Sequence, residues 1–264
     1  MVVAPFVYDA LQAKVAQAAG FPAVYLTGFG TAAARGYPDL GLLTMTEMVD
    51  SVRTVARAVD VPVICDADTG YGNPLNVLRT VREYEAAGAA ALHLEDQTWP
   101  KRCGFLAGKQ VIPCEDMQAK VRAACDARGR PDLVIIARTD ALQPHGWDDV
   151  ERRARAYYAA GADVVFVDGI ATVDDLDTYA GRLGDLPLLY NGQLLPVPDI
   201  AARGFRIMLH PGPLAAVYRA LRHALAELSA TGAIAGATDV GLFAEILRVL
   251  GVPELLSAAH RYDE

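Results

Sequence analysis

Short apolar runs alternate with longer amphipathic stretches along the whole chain, and that alternation predicts the architecture before any single residue is weighed. Residues 2–7 read as a strand; Leu11, Val15 and Ala18 then recur at helical spacing over 9–19, where Gly20 stops the helix. A second strand at 23–26 opens into Thr27, Gly28, Phe29 and Gly30, and a polar helix over 46–59 leads to the apolar run Val63-Ile64-Cys65. Val, Ile and Cys suit a strand buried on both faces. Further strands follow at 90–96, 133–138, 163–167, 186–190 and 206–210, with helical patterns over 76–87, 115–128 and 214–231.

An internal echo supports the count. Ala18-Ala19-Gly20, Ala86-Ala87-Gly88 and Ala159-Ala160-Gly161 each close a helix directly before an apolar strand, and Ala201-Ala202-Arg203-Gly204 is a looser copy. Eight strand–helix units with parallel connections predict an α/β protein of the (β/α)8 TIM barrel type. An open doubly wound sheet is the competing arrangement, but it would want a glycine-rich dinucleotide turn after the first strand, where Tyr8-Asp9-Ala10 stands. No linker or composition break divides the chain, so residues 1–264 are expected to form one barrel domain with 232–264 as a C-terminal helical extension. The apolar side chains of 242–250, with Leu255 and Leu256, have no place in a closed barrel. They predict packing on a neighbouring subunit.

The totals change this picture only by exclusion. A chain of 264 residues, 53% hydrophobic, is long enough to bury a large core. A formal net charge of −8 without a Lys/Arg cluster argues against nucleic acid as a partner. Cys65, Cys103, Cys114 and Cys125 show no C-x-x-C spacing, which points to reduced thiols and, with no signal-peptide pattern and no apolar run of membrane-spanning length, to a cytoplasmic protein that binds no membrane.

Barrel active sites are built from the loops at the C-terminal ends of the strands, and the predicted strand ends are rich in functional side chains. They carry Thr27, Gly28 and Phe29; Asp66 and Asp68; Glu95 and Asp96; Arg138 and Asp140; Asp168; Asn191 and Gln193; and His210. Asp66 and Asp68 share one side of a pleated strand if the alternation continues through them, and two carboxylates so placed favour a hard divalent cation. Mg²⁺, with Mn²⁺ as a substitute, suits such oxygen ligands. The pair also fits a loop in which Asp66 caps a turn and Asp68 is solvated. Glu95 on the next strand can join a metal site, Arg138 offers a bidentate clamp for carboxylate or phosphate, and Gly28 offers backbone N–H to an oxyanion. Metal plus arginine implies a small anionic substrate. In the loop after the fourth strand, Lys101 and Arg102 precede Cys103 and Gly104, and the two cations would favour the thiolate. An ordinary mobile loop with an incidental cysteine is the plainer alternative.

Five ordered motifs, Pro38-Asp39-Leu40-Gly41, Asp66-Ala67-Asp68-Thr69-Gly70-Tyr71-Gly72, Leu92-His93-Leu94-Glu95-Asp96-Gln97, Lys101-Arg102-Cys103-Gly104 and Ala137-Arg138-Thr139-Asp140-Ala141, resemble the isocitrate lyase and phosphoenolpyruvate mutase superfamily. The resemblance runs from Tyr8 almost to the C-terminus, and the cysteine loop is most similar to that of the carbon–carbon lyases, methylisocitrate lyase in particular. It implies a Mg²⁺-dependent barrel, commonly a homotetramer, a dimer of dimers, whose C-terminal helices exchange between subunits. It also implies that Asp68 is the nearest metal ligand, with Asp39, Asp66 and Glu95 holding metal-bound waters. Thr27 and Gly28, with Phe29 beside them, would bind the substrate carboxylate, Arg138 would stabilise the oxyanion, and Cys103 would protonate the carbanion left by retro-aldol cleavage. Tyr25 is a candidate base, or equally a strand residue facing the core.

Three positions depart from the lyase pattern: Phe105 replaces a histidine after Gly104, Asp168 replaces a glutamate, and Asn191 with Gln193 replaces an asparagine and threonine pair. All belong to the expected recognition of the leaving carboxylate. Burying a carboxylate against Phe105 is costly, which turns the expectation from methylisocitrate towards an alkylmalate-like 2-hydroxy acid, split into an α-keto acid and a second carboxylate. The alternatives are an oxaloacetate-type hydrolase or decarboxylase, a phosphonomutase, and a non-catalytic keto-acid-binding relative.

Overall fold

In the computed structural model, which describes residues 1–104, 106–236 and 239–262, eight parallel strands close into a barrel in sequence order. The strands are β1 (Val2–Val7), β2 (Val24–Leu26), β3 (Val63–Asp66), β4 (Ala91–Glu95), β5 (Val134–Thr139), β6 (Val164–Val167), β7 (Leu188–Asn191) and β8 (Ile207–His210). Closure is made by β1 against β8, with Val2 opposite Ile207 and Pro5 opposite His210. The (β/α)8 expectation is met.

Helices α1 (Ala10–Ala18), α3 (Met45–Ala56), α4 (Pro74–Ala87), α5 (Cys114–Ala127), α7 (Trp147–Ala159), α8 (Val173–Leu183) and α9 (Val197–Ala202) surround the strands. Their starts are written locally. Thr44, Asn73 and Thr172 each form a capping box with the residue three positions on, and Pro74 sits where a missing N–H costs nothing. The Ala-Ala-Gly echo has one physical cause: Gly20, Gly88, Gly161 and Gly204 all take positive φ, between 84° and 114°, to turn the chain from helix into strand.

Two short helices, α2 (Gly28–Ala34) and α6 (Leu142–His145), were not expected. The first has the sequence Gly-Phe-Gly-Thr-Ala-Ala-Ala, a poor helix by propensity. It forms because Thr27 caps it and because Gly28, lacking a side chain, lets its first turn approach Asp66; a Cβ at Gly28 would stand 2.5 Å from Asp66 Oδ2.

The apolar residues divide into two layers. Leu26, Cys65, Leu92, Leu94, Ile135 and Val165 point outward onto the helices. Ala4, Phe6, Tyr25, Ile64, Ala91, Ile136, Val164, Phe166, Leu189 and Leu209 fill the barrel itself. Beyond β8 run α10 (Gly212–Thr231), α11 (Val240–Val249) and α12 (Val252–His260). Leu221, Leu225, Leu242, Phe243, Leu255 and Leu256 on these helices are exposed.

Candidate active site

Following the inward-facing positions along each strand leads from packing to chemistry. On β3, Ile64 is followed two residues later by Asp66; on β4, Ala91 by His93 and Glu95; on β5, Ile136 by Arg138; on β7, Leu189 by Asn191. Val164 and Phe166 on β6 point the same way to Asp168 just past the strand. A side-chain period of two therefore carries the barrel's filling upward into a ring of polar groups.

Asp66, the last residue of β3, is buried and held on both oxygens. Its Oδ1 accepts the Asp68 N–H at 3.0 Å, its Oδ2 accepts the Gly28 N–H at 3.2 Å, and the Tyr25 hydroxyl lies 3.4 Å from Oδ2. The Gly28 N–H is thus engaged by the protein's own carboxylate, not left for an oxyanion. Asp68 does not continue the pleat, as the alternation had suggested. It lies beyond the strand with φ +46°, a left-handed conformation that costs about 1 kcal/mol, and the bend turns its carboxylate toward Asp39.

Between Asp39 and Asp68 sits the ammonium of Lys101, bonded to Asp39 Oδ1 and 2.8 Å from Asp68 Oδ1. The Lys101 ammonium thus serves Asp68 Oδ1 as well as Asp39, whereas neither carboxylate oxygen of Glu95 has a hydrogen-bond donor. Burial raises Asp68 to about 6 against the pull of Lys101, with Asp66 adding to the rise, and burial likewise drives Glu95 well above the usual carboxylate range. Asp66 goes the other way, to about 2: burial opposes its ionisation, but the charges of His93, Lys101 and Arg138 and the Asp68 N–H outweigh it. Since burial lowers His93 itself to about 4, the ring is neutral at neutral pH, and there Lys101, Arg138 and the N–H account for the lowering.

Desolvated carboxylate oxygens without donors fit a hard cation. Among the described residues no group of three or more acidic, histidine or cysteine side chains is spaced as a ready coordination shell. An ion that keeps several of its waters does not need one.

His93 is a site residue that the motif reading did not single out. It lies fully buried in the barrel, with Nε2 2.8 Å from the Tyr25 hydroxyl and 3.7 Å from Asp66 Oδ1, its ring over Tyr25 and edge-on to Phe166. Its Nδ1 has no partner. Burial pushes the Tyr25 phenol well above 10, so Tyr25 stands here as a protonated hydrogen-bond donor. The signal for His93 was its inward parity with Glu95.

On the opposite side of the barrel mouth the charges are matched. Arg138 donates through Nε and Nη2 to Asp140 at 2.8 and 3.0 Å, and its guanidinium lies 3.3 Å from Glu95, 3.2 Å from Asp168 and over the Phe166 ring. The expected bidentate clamp is therefore closed on Asp140, and Nη1 is the nitrogen without a donated bond to Asp140 or Asp168. Lys109, also unanticipated, reaches Asp140 at 2.9 Å and Asp168 at 3.4 Å. Asp96 serves as a post beneath this group, accepting from Thr139 Oγ1, Asp140 N–H, Tyr157 OH and Arg153.

The loop between β4 and α5 folds over the mouth. The Gln97 side chain exchanges two hydrogen bonds with the Arg102 backbone, and Cys103 N–H donates to the Asp39 carbonyl at 3.1 Å. Lys101 is spent on Asp39 and Asp68, and Arg102 donates to the Ala107 carbonyl. A Cβ on Gly104 would overlap Asp168 Oδ2. Phe105 lies outside the described residues.

A cavity of about 130 Å³ remains beneath the loop. Tyr25, Thr27, Asp39, Asp66, Cys103, Gly104, Arg138, Asp168 and Asn191 line it together with the apolar Phe6, Phe29, Pro211 and Leu214. Asn191 Oδ1 is buried without a donor. Asp68 and Glu95 stand behind this wall, while Gln193 is exposed and not among the lining residues. A larger recess of about 670 Å³ beside Trp99 and Lys120 contains none of the expected site residues, while Gly104, Asp168 and Asn191 also border a recess of about 510 Å³ beside Lys109.

The chain matches the family described as phosphoenolpyruvate phosphomutase over residues 1–229. It is 41% identical to the 2,3-dimethylmalate lyase of Eubacterium barkeri over 278 aligned positions, which cover 99% of this chain and 93% of that one. Its fold superimposes on oxaloacetate acetylhydrolase in complex with 3,3-difluorooxalacetate with a TM-score of 0.93, at 37% identity, covering 100% of this chain and 92% of that one. Phosphonopyruvate hydrolase in complex with oxalate and Mg²⁺ matches with a TM-score of 0.89 at 30% identity, over 100% and 95% of the two chains.

Proposed function

We propose, from the premise that this chain belongs to the phosphoenolpyruvate phosphomutase family within the isocitrate lyase superfamily, that it is a Mg²⁺-dependent carbon–carbon lyase. Its substrate is an alkylated 2-hydroxy dicarboxylate of the dimethylmalate type, split into an α-keto acid and a second carboxylate. One observation carries the reading: Cys103 and Arg138 line the same 130 Å³ cavity, whose lining combines polar groups with the apolar side chains of Phe6, Phe29 and Leu214. Such a space accepts two carboxylates and an alkyl group more readily than three carboxylates.

Asp39, Asp66, Asp68 and Glu95 would hold the cation, and the donorless oxygens of Glu95, with four carboxylates gathered about the Lys101 ammonium, support that assignment. When bound, the ion supplies electrostatic stabilisation of negative charge developing on substrate oxygens. Thr27 and Asn191 bind and orient the substrate carboxylates at the cavity wall. Tyr25, hydrogen-bonded to the neutral His93 imidazole, takes the proton of the substrate's 2-hydroxyl while passing its own to His93 Nε2, and Asp66 holds its hydroxyl in place. Arg138, fixed by Asp140, meets the oxyanion that becomes the keto group, an arrangement that requires no reorientation during reaction. Cys103 gives its proton to the carbanion-like fragment once the loop excludes water.

Exposed apolar side chains on α10, α11 and α12 support a homotetramer in which 232–264 packs on a neighbouring subunit; size-exclusion chromatography with light scattering tests it. Four cysteines without a disulfide support a cytoplasmic enzyme. Among the described residues no helix is long and apolar enough to cross a membrane.

The test is a screen of malate, alkylmalates, isocitrate and methylisocitrate with Mg²⁺, scored by release of α-keto acid, with oxaloacetate scored by its disappearance. The reading expects keto acid from an alkylmalate and little from the tricarboxylates. The likeness to oxaloacetate acetylhydrolase favours hydrolysis of oxaloacetate as the second reading, and consumption of that acid alone would establish it in place of the first.

A further inference from the structure

Two buried ammonium groups pin the loop that carries Cys103, one on each side of the cysteine. Lys101 reaches back to Asp39 and Asp68. Lys109 reaches forward to Asp140 and Asp168, at 2.9 and 3.4 Å, and is itself 5% exposed. Asp140 Oδ1, which takes Lys109, is the same oxygen that accepts Arg138 Nη2, and Asp168 Oδ2 is shared by both cations. Gly104 is wedged against Asp168 and within 3.1 Å of Arg138 Nη2 by the position its Cβ would take. The loop and the guanidinium therefore have two carboxylates in common.

We propose that Lys109 is a positioning residue whose ammonium, bridging Asp140 and Asp168, makes closure of the Cys103 loop and alignment of Arg138 a single event. It touches no reacting atom. Lifting the loop would withdraw the bridge and leave both carboxylates competing for Arg138 alone, which would pull the guanidinium off its present orientation. Seating the loop restores one cation for each. The proposal rests on the reading of Cys103 and Arg138 as partners in one reaction, and it explains how an acid on a loop and an electrostatic stabiliser on a strand come into register.

The test replaces Lys109 by Met, which keeps the stem and removes the charge, and by Arg, which keeps a cation for both carboxylates. Alkylation of Cys103 by iodoacetamide, followed by mass spectrometry of its peptide, reads loop closure without reference to any substrate. Lys109→Met is expected to speed Cys103 labelling about tenfold while buried Cys65 and Cys114 stay unlabelled, and to lower kcat about 100-fold. Lys109→Arg should recover most of both effects. Should the Met variant not fold, Lys109→Gln, which retains a donor for Asp140, must move labelling in the same direction. Labelling of Cys103 at the wild-type rate would overturn the proposal, as would a rise shared equally by Cys65 and Cys114, which marks general loosening. If the wild type cleaves no hydroxy acid, the lyase reading fails, and the labelling result still decides the role of Lys109 in closure.

Discussion

The two sides of the barrel mouth hold similar residues in opposite electrostatic condition. Around Arg138 the charges are matched: two cations, Arg138 and Lys109, share Asp140 and Asp168 through hydrogen-bonded or close ionic contacts. Around Lys101 they are not: Asp39, Asp66, Asp68 and Glu95 lie near one ammonium, and Glu95, 3.3 Å from Arg138, has no hydrogen-bond donor on either buried oxygen. The matched side is a finished, preorganised scaffold. The unmatched side favours added positive charge, and the difference supports the proposal that the ion is held there.

Replacing the proposed proton donor should lower turnover steeply. Cys103→Ser is expected to lower kcat about 1,000-fold for a lyase, measured by keto acid release at saturating alkylmalate; a loss below tenfold would favour hydrolysis. Removing the ion from the unmatched side by EDTA should abolish activity, and Mg²⁺ or Mn²⁺ should restore it. On the matched side, Arg138→Lys keeps the charge but loses the fork on Asp140, and kcat should fall about 100-fold. The smallest effect marks the boundary of the site. Gln193 is exposed and outside the cavity, so Gln193→Ala should leave kcat/KM within about twofold of wild type.

Much of this contrast was legible before any coordinates. The barrel followed from alternating runs and the repeated Ala-Ala-Gly ends, and Asp66, Glu95 and Arg138 followed from their places at the C-terminal ends of the predicted strands. The remainder depended on tertiary contacts. Lys109 carries no local pattern that announces its reach to Asp140 and Asp168. Helix α2 forms against propensity because Gly28 packs on Asp66. Asp68 reaches its place by a left-handed bend, a conformation that strand periodicity does not encode. Lys101 and Arg102 adjoin Cys103 in the chain, yet their charged ends are placed on Asp39, Asp68 and Ala107, since neighbouring side chains in a loop diverge.

The most direct measurement is the thermal stability of metal-free Asp68→Asn and Asp140→Asn proteins, each compared with wild type and each repeated with Mg²⁺. Removing the Asp140 charge breaks a buried pair and should destabilise by about 3 kcal/mol, lowering Tm by roughly 8 °C. Asp68→Asn removes one of the two carboxylates on buried Lys101 but leaves Asp39 in place, so the metal-free variant should lose less than Asp140→Asn, and it alone should lose the stabilisation that Mg²⁺ gives. Equal destabilisation by the two changes, with Mg²⁺ stabilising both variants as it does wild type, would contradict the division of the site into a finished half and a cation-accepting half.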